Sequence, residues 1–388
     1  MKFKEYLMED ALDTIIDYRG KTPEKSDTGI PTLSAKSVKN NHINYEECYY
    51  ISEAEYKRFM VRGFPQKGDI LLTTEAPMGM VAKLDRADVA IAQRLLTLRG
   101  KEGVLDNDYL LYLLQSPYGQ GLLKERETGT TVTGIKQAEF RRIIVKLPDI
   151  TIQKKIGRIL SAIDQKLTCN TKINDNLQQQ AFALFEKLLS GEHLEVCSLS
   201  EIAELNPKRS LTKNEMARCI DMAQLSTSGS FPNGWELKPY NGGMRFANGD
   251  TLLARITPCL ENGKTAYIDF LDADEVAFGS TEYIVMCSQG QYPSEFFYCL
   301  ARYPSFVDYA VKNMNGSSGR QRVSAETIGK YSLPRLTDDE LVEFRDVVPA
   351  LFSAMRLNSL EIISLAELRD ALLPKLMSGE IDVSDIQI

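Results

Sequence analysis

The sequence predicts an α+β protein made by tandem duplication. Two homologous mixed α/β globules are joined to two long antiparallel coiled-coil helices in a pseudo-two-fold repeat. Three observations predict it. A heptad rhythm of apolar residues runs through 147–192 and again, 188 positions later, through 333–380. The two stretches share their ends: Leu147-Pro148 and Leu333-Pro334 open them, and Lys187-Leu188-Leu189-Ser190-Gly191-Glu192 and Lys375-Leu376-Met377-Ser378-Gly379-Glu380 close them. The intervals before them carry similar motifs in the same order. The expected boundaries are therefore 1–146 for the first globule, 147–192 for a central helix, 193–332 for the second globule and 333–388 for a C-terminal helix and tail.

The helices are read from their seams. Ile156, Ile163, Asn170, Leu177 and Leu184 form one row, matched by Phe344, Leu351, Asn358, Leu365 and Leu372. The companion row is Leu160, Leu167, Asn174, Ala181 and Leu188, matched by Val348, Met355, Ile362, Arg369 and Leu376. Steps of three and four residues kept up this long define a coiled-coil seam rather than a single amphipathic face. Asn170 and Asn358 hold the same seam position, where a polar group costs stability and fixes register. Two like halves in one chain pack with approximate two-fold symmetry, which sets the helices antiparallel. Each would be a spacer ~57 Å long at ~1.5 Å per residue. Pro349, Pro374 and the seam residue Arg369 predict a bend or irregularity in the second helix.

The globules follow one plan. In the first, Asp17-Tyr18-Arg19-Gly20-Lys21-Thr22-Pro23 is a turn. Gly68-Asp69-Ile70-Leu71-Leu72 is a turn feeding a strand, and 80–84 and 89–98 read as further strands. A helical stretch over 109–125 breaks at Pro117, and Thr128 to Gly134 is a hydroxyl-rich loop. In the second, Gly249-Asp250-Thr251-Leu252-Leu253 answers the first strand, and 264–269 and 275–287 answer the next two. Residues 295–313 answer the helices, with Tyr298 against Tyr112 and Pro304 near Pro117. Gly316 to Arg322 answers the loop. A period this long describes two homologous halves rather than a solenoid.

Composition narrows the function. At 388 residues with 43% hydrophobic and 26% charged content, the chain is an ordinary multi-domain globular protein. No apolar run approaches the roughly 20 residues of a membrane span, and the start lacks an apolar signal core, so no membrane partner is expected. Seven scattered cysteines without a C-x-x-C pair read as reduced thiols of a cytoplasmic protein. Net charge is −7, yet residues 1–146 hold 22 basic and 21 acidic groups, and the excess acid lies mostly after residue 332. Any basic surface is therefore local.

Catalytic signals are weak. The sequence has no phosphate-binding G-x-x-x-x-G-K-[ST] loop and no G-x-G-x-x-G after a strand. Asn206-Pro207-Lys208-Arg209 starts like an amino-methyltransferase motif but lacks the second proline and the aromatic, and reads as a basic turn. Asp149 with Lys154 and Lys155 falls at a helix start, where acids favour the positive dipole end. Only His42 and His193 are present, so a histidine-based metal site is poorly supplied, and no metal or catalytic residue is assigned.

Taken together, the ordered and twice-repeated set resembles the specificity (S) subunits of type I restriction-modification systems. Arg19-Gly20-Lys21-Thr22-Pro23, both G-D-x-L-L strands, the Gly129 and Gly316 loops, the Leu-Pro openings and the K-L-[LM]-S-G-E ends carry the resemblance, which spans essentially the whole chain. It implies that each globule is a target recognition domain reading one half of a split double-stranded DNA site. It implies that the helices space the domains and dock two methyltransferase (M) subunits, and that restriction (R) subunits join the full complex. The chain would then be a non-catalytic subunit holding no cofactor, with S-adenosylmethionine, ATP and magnesium on its partners.

Residue chemistry nominates the DNA contacts. Phosphates draw Lys, Arg, Ser and Thr, while base edges draw Arg and Lys for guanine and Asn and Gln for adenine. The first globule offers Arg19, Lys21, Thr22, Lys36, Thr74, Arg94, Thr130, Thr131 and Lys136. The second offers Lys208, Arg209, Arg245, Arg255, Ser317, Ser318, Arg320, Gln321 and Arg322, with the Gly316–Arg322 loop foremost. Outward helix charges such as Lys154, Lys155, Arg158 and Asp164 read as a solvated face. Two other readings stand beside this one: a self-contained DNA-modifying enzyme, and a coiled-coil adaptor without DNA binding.

Overall fold

A computed structural model describes residues 1–129, 133–191, 195–317 and 319–386. The chain divides into two compact units, one of residues 1–166 with 366–388, the other of residues 167–365. Both long helices are thus shared, each giving one part of its length to either unit.

In the first unit a four-stranded antiparallel sheet runs in the order Leu12–Asp17, Leu95–Gly100, Ile70–Thr73, Val81–Lys83. A three-stranded sheet adds Tyr49–Ile51, Ile30–Leu33 and Ala90–Ile91, the last two parallel. In the second unit the same plan gives Ala203–Leu205, Tyr283–Ser288, Thr251–Ala254, Thr265–Tyr267. A second sheet there holds Glu236–Pro239, Met216–Ile220, Ala277–Gly279 and Met244–Phe246, with one parallel pair. The central strands Ile70–Thr73 and Thr251–Ala254 are wholly buried. Their continuous apolar runs, rather than alternation, suit strands covered on both faces.

The two runs read as single strands each divide between the two sheets. In the first unit, Ala90–Ile91 and Leu95–Gly100 are separated at Arg94, whose φ of +70° turns the chain. In the second, Ala277–Gly279 and Tyr283–Ser288 are separated at Ser280-Thr281-Glu282. The helical stretches break where proline requires it, giving Asn107–Gln115 then Pro117–Glu125, and Ser294–Arg302 then Pro304–Lys312. Proline suits the first turn, where its missing N–H has no partner to lose. Ser116 caps the first of these starts, its Oγ accepting from Gly119 N–H at 3.1 Å.

The Leu-Pro pairs do not begin the long helices. Leu147-Pro148 ends the strand Ile144–Pro148, and Leu333-Pro334 ends the strand Ser332–Pro334. A residue before proline avoids the α region, so each pair closes an extended segment. The helices follow, Ile150–Leu189 with 40 residues and Asp338–Ser378 with 41. Asp149 caps the first, accepting from Thr151 N–H at 2.9 Å. The second is one unbroken helix through Pro349, so the irregularity expected from its prolines does not interrupt it.

The helices are antiparallel within each unit. In the first, Arg369 Nη1 reaches Asp164 Oδ1 at 3.2 Å and Lys155 Nζ donates to the Ser384 carbonyl at 2.5 Å. In the second, Asn170 meets Glu361, Asn174 meets Asn358, and Lys187 meets Glu343. Every seam residue named above for the two leading rows is buried or half-buried. Ile156 and Leu160 pack with Leu376 and Met377 in one core, and Phe344, Val348 and Met355 join the other. A fully buried side chain of this size contributes about 1.5–3 kcal/mol.

The C-terminal helix is, by length and composition alone, apolar enough to cross a membrane, with a mean hydropathy of 1.2 over one window. That corrects the expectation that no stretch approaches a span. Its apolar side chains Phe344, Val348, Phe352 and Met355 are buried against the second unit.

Two stability predictions follow from polar groups in these cores. Asn170 is fully buried, and its Oδ1 has no partner although Nδ2 donates to Glu361 at 2.7 Å. Asn170→Leu is expected to raise stability by about 1 kcal/mol, because an unmade buried acceptor costs about 1–3 kcal/mol. A higher urea midpoint checks it; an unchanged or lower midpoint refutes it.

Glu295 is the second case. Burial pushes its carboxyl up from 4.5, against its own backbone N–H and the Tyr267 hydroxyl, with Asp269 adding to the rise. A raised folded-state pKa gives stability that is full below the unfolded value and is lost as pH rises through the folded value. The stability gap between Glu295→Gln and the natural chain is therefore expected to move in the variant's favour above about pH 4.5, as urea melts at several pH values will show.

Candidate nucleic-acid interface

Each G-D-x-L-L motif builds a buried ion pair at the foot of the central strand. Gly68 and Gly249 take φ of +95° and +87°, which glycine allows, and deliver Asp69 and Asp250 inward. Asp69 accepts from Arg99 Nε at 2.7 Å and Nη2 at 2.8 Å. Asp250 accepts from Arg209 Nη2 at 2.6 Å and from the Ala247 N–H at 2.8 Å. Burial pushes the Asp250 carboxyl up, against the Ala247 N–H and the Arg209 guanidinium.

At the other end of the same strands each unit hangs a hairpin. Thr128 and Gly134 exchange backbone hydrogen bonds at 2.8 and 3.0 Å, and Ile135 N–H ties that hairpin to the Thr74 carbonyl at 3.0 Å. Asn315 and Arg322 exchange two at 2.9 Å, and Val323 N–H reaches the Arg255 carbonyl at 3.0 Å. Gly134 is required by proximity: a Cβ there would sit 2.5 Å from the Thr74 carbonyl oxygen. A cis proline follows each strand, at Ala76–Pro77 and Thr257–Pro258.

Charged side chains gather at this end. In the first unit Arg19 donates to Glu75, and Arg94 Nε lies 3.5 Å from the other Glu75 oxygen. In the second, Arg322 donates to Glu282 through Nε at 2.9 Å and Nη2 at 2.7 Å, while Arg255 Nε lies 3.9 Å away. The arginines hold the Glu282 carboxyl below the usual carboxylate range, Arg322 foremost. Arg320 lends its carbonyl to Arg322 Nη1 at 3.2 Å, and Gln321 binds Thr257 through its backbone.

The other nominated residues are placed as follows. Lys21, Thr22, Lys36, Lys136, Lys208, Ser317 and Arg320 are exposed. Thr74 is only 5% exposed, a buried strand end rather than a surface hydroxyl. Arg209 is committed to Asp250 in the core, and Arg245 lies over the Tyr240 ring at 6.0 Å on the second sheet. Thr130, Thr131 and Ser318 lie outside the described residues. The geometry thus brings together Arg19 with Arg94, and Arg255 with Arg320, Gln321 and Arg322. It does not bring Lys36, in the turn after Ile30–Leu33, or Arg245, on the second unit's second sheet, into those groups.

Sequence reasoning missed Glu75 and Glu282. Their signal was position, one just past the first G-D-x-L-L strand and the other just before the strand that pairs with the second. Among the described residues, no cluster of three or more His, Cys, Asp or Glu is placed to hold a metal ion.

The fold defines a duplicated α+β chain with one sheet plan per unit and, in each, a hairpin with arginines beside or on it. Residues 14–179 match the family model described as the type I restriction modification DNA specificity domain. The resemblance to type I restriction-modification specificity subunits read from the sequence is borne out over these residues and by the relatives that follow. It is 26% identical to the type I restriction enzyme MjaIX specificity subunit of Methanocaldococcus jannaschii, across 92% of this chain and 88% of that one. It is 23% identical to the HindI specificity subunit of Haemophilus influenzae, across 81% and 87%. The fold matches the crystal structure of a type I restriction-modification S subunit from M. genitalium with a TM-score of 0.65 at 16% identity, covering 97% of this chain and 96% of that one.

Proposed function

We propose that this chain is the non-catalytic, sequence-reading subunit of a cytoplasmic type I restriction-modification complex, each unit reading one half of a two-part DNA site. The observation that carries the reading is the hairpin beside paired arginines, present at the same strand end in both units. Backbone-anchored loops bring cations to phosphates, and arginine forks read guanine. Arg19, Arg94, Arg255, Arg320 and Arg322 are the leading contacts, with Lys21, Thr22, Lys136, Lys208, Ser317 and Gln321 in support. The near-neutral charge of 1–146 and 193–332 leaves much of the phosphate attraction to partners.

Under this reading the long helices set the distance between the two DNA words and dock two methyltransferase subunits. Val342, Val347, Leu357 and Leu368 support the docking role: they are large apolar residues left exposed on the C-terminal helix. S-adenosylmethionine, ATP and magnesium belong to the methyltransferase and restriction subunits.

Co-expression with a methyltransferase partner from the same source, followed by genome-wide mapping of methylated bases, tests the reading. A two-part motif with a fixed gap is expected, and replacing 193–332 by the matching segment of a relative should change one half alone. A stable complex whose motif is unsplit, or insensitive to that replacement, overturns it in favour of an adaptor. Methylation or cleavage by the purified chain alone overturns it in favour of an enzyme.

A further inference from the structure

We propose that Glu75 and Glu282 are positioning residues, each fixing two arginines beside its hairpin so that they select a guanine in that unit's half of the DNA site. The inference rests on the DNA-reading function proposed above. It adds that an acidic residue in each unit sets which base the arginines accept.

The geometry supports this at atomic detail in the second unit. A guanidinium has five N–H donors. Arg322 gives Nε and one Nη2 hydrogen to Glu282 and one Nη1 hydrogen to the Arg320 carbonyl. One hydrogen therefore remains on each Nη, an adjacent pair when Nη1 uses its Cδ-side hydrogen on Arg320, and guanine presents O6 and N7 as two adjacent acceptors. An arginine gripped along its Nε–Nη2 edge meets that pair in one orientation. An ungripped arginine turns as readily to any phosphate. In the first unit Glu75 is held differently: Arg19 donates through Nη2 to one oxygen, and Arg94 Nε approaches the other at 3.5 Å with no side-chain hydrogen bond of its own among the described residues.

Stability does not account for these groups. The side chains of Glu75 and Glu282 are 20% and 26% exposed, and those of their arginines 30% to 51%. Ion pairs so open to water contribute little. The buried acids Asp69 and Asp250 at the opposite strand end already anchor the strands.

The two triads are also built from different positions. Thr73 pairs with Leu95 and Ala254 with Tyr283, so Arg94 and Glu282 stand at the same place in the two sheets, as do Thr74 and Arg255. Gly134 and Arg322 both close the hairpin. One carboxylate between two arginines thus recurs although it is supplied from different positions, Ile256 standing in the second unit where Glu75 stands in the first. The net charge of each triad is +1, which also limits attraction to non-target DNA.

The test uses the whole chain in complex with its co-expressed methyltransferase. Methylation motifs and competition binding against duplexes changed at single guanines are read for Glu282→Gln and Glu75→Gln. Glu282→Gln is expected to lower discrimination at one guanine about tenfold, in the second unit's half only. It should also raise affinity for random DNA, because one more arginine is left un-neutralised. Glu75→Gln should do the same in the other half, and Glu282→Asp should recover part of the discrimination. A purely structural role would lower binding to all sequences equally and would not respect the half-site.

If the natural chain gives no two-part motif, the functional reading fails and this inference falls with it. If the motif is two-part but both glutamine variants discriminate as the natural chain does, the positioning role is overturned while the reading stands. Should one variant fail to assemble, the other poses the same question in a separate unit.

Discussion

Complexes carrying Arg322→Ala are expected to bind their target DNA about 10–100-fold more weakly, since one bidentate arginine contact is worth about 1–3 kcal/mol of discrimination. The loss should fall on the half-site read by the second unit. Arg322 is the best-held arginine of the hairpin, with three side-chain donors engaged on Glu282 and the Arg320 carbonyl. Removing it also releases Glu282, whose charge is then balanced only by Arg255, 3.9 Å away. The double change Arg322→Ala with Glu282→Gln separates the two effects, because coupled neighbours deviate from additivity. Anisotropy titrations at two salt concentrations complete the measurement. A base contact leaves the slope of log affinity against log salt nearly unchanged, whereas a phosphate contact lowers it by about 1. Equal affinity with and without Arg322 would remove this hairpin from the interface.

The second large effect is on stability. Asp250→Ala is expected to destabilise the second unit by about 3 kcal/mol, because it strands the Arg209 guanidinium without its buried counter-charge. It also removes the acceptor of the Ala247 N–H that shapes the turn. The chain's single tryptophan makes this measurable by unit. Trp235 stacks on Phe270 with ring centroids 4.7 Å apart, and both belong to residues 167–365. Its fluorescence therefore reports the second unit in a urea titration. Asp250→Ala should lower that midpoint, while Asp69→Ala, the matching change in the first unit, should leave it in place. A midpoint unmoved by Asp250→Ala would show that the Arg209 pair carries no net stability.

The repeat, the long helices, their seam and the strands after each G-D-x-L-L turn were legible in the sequence. These are periodic or local properties. A heptad row such as Ile156, Leu160 and Ile163 can face only one way, and a buried strand such as Ile70–Thr73 declares itself by an unbroken apolar run. Loop candidates such as Arg94 and Arg322 were also within reach, since cations next to turns are visible in one dimension.

Tertiary structure alone decided which cations are available. Arg209 and Arg322 look equivalent in the sequence, yet one is drawn under the sheet by Asp250 and the other stands at the hairpin with Glu282. Thr74 was nominated as a surface hydroxyl and is buried, because the hairpin through Ile135 folds over it. The glutamates between the arginines were invisible for the same reason. Glu75 lies 56 residues from Arg19, and Glu282 lies 40 from Arg322. Pairing across such separations is settled by the closing of the sheet and not by any local pattern. The Asn170 register contact with Glu361, 191 residues away, is likewise a product of antiparallel packing that the seam alone leaves open.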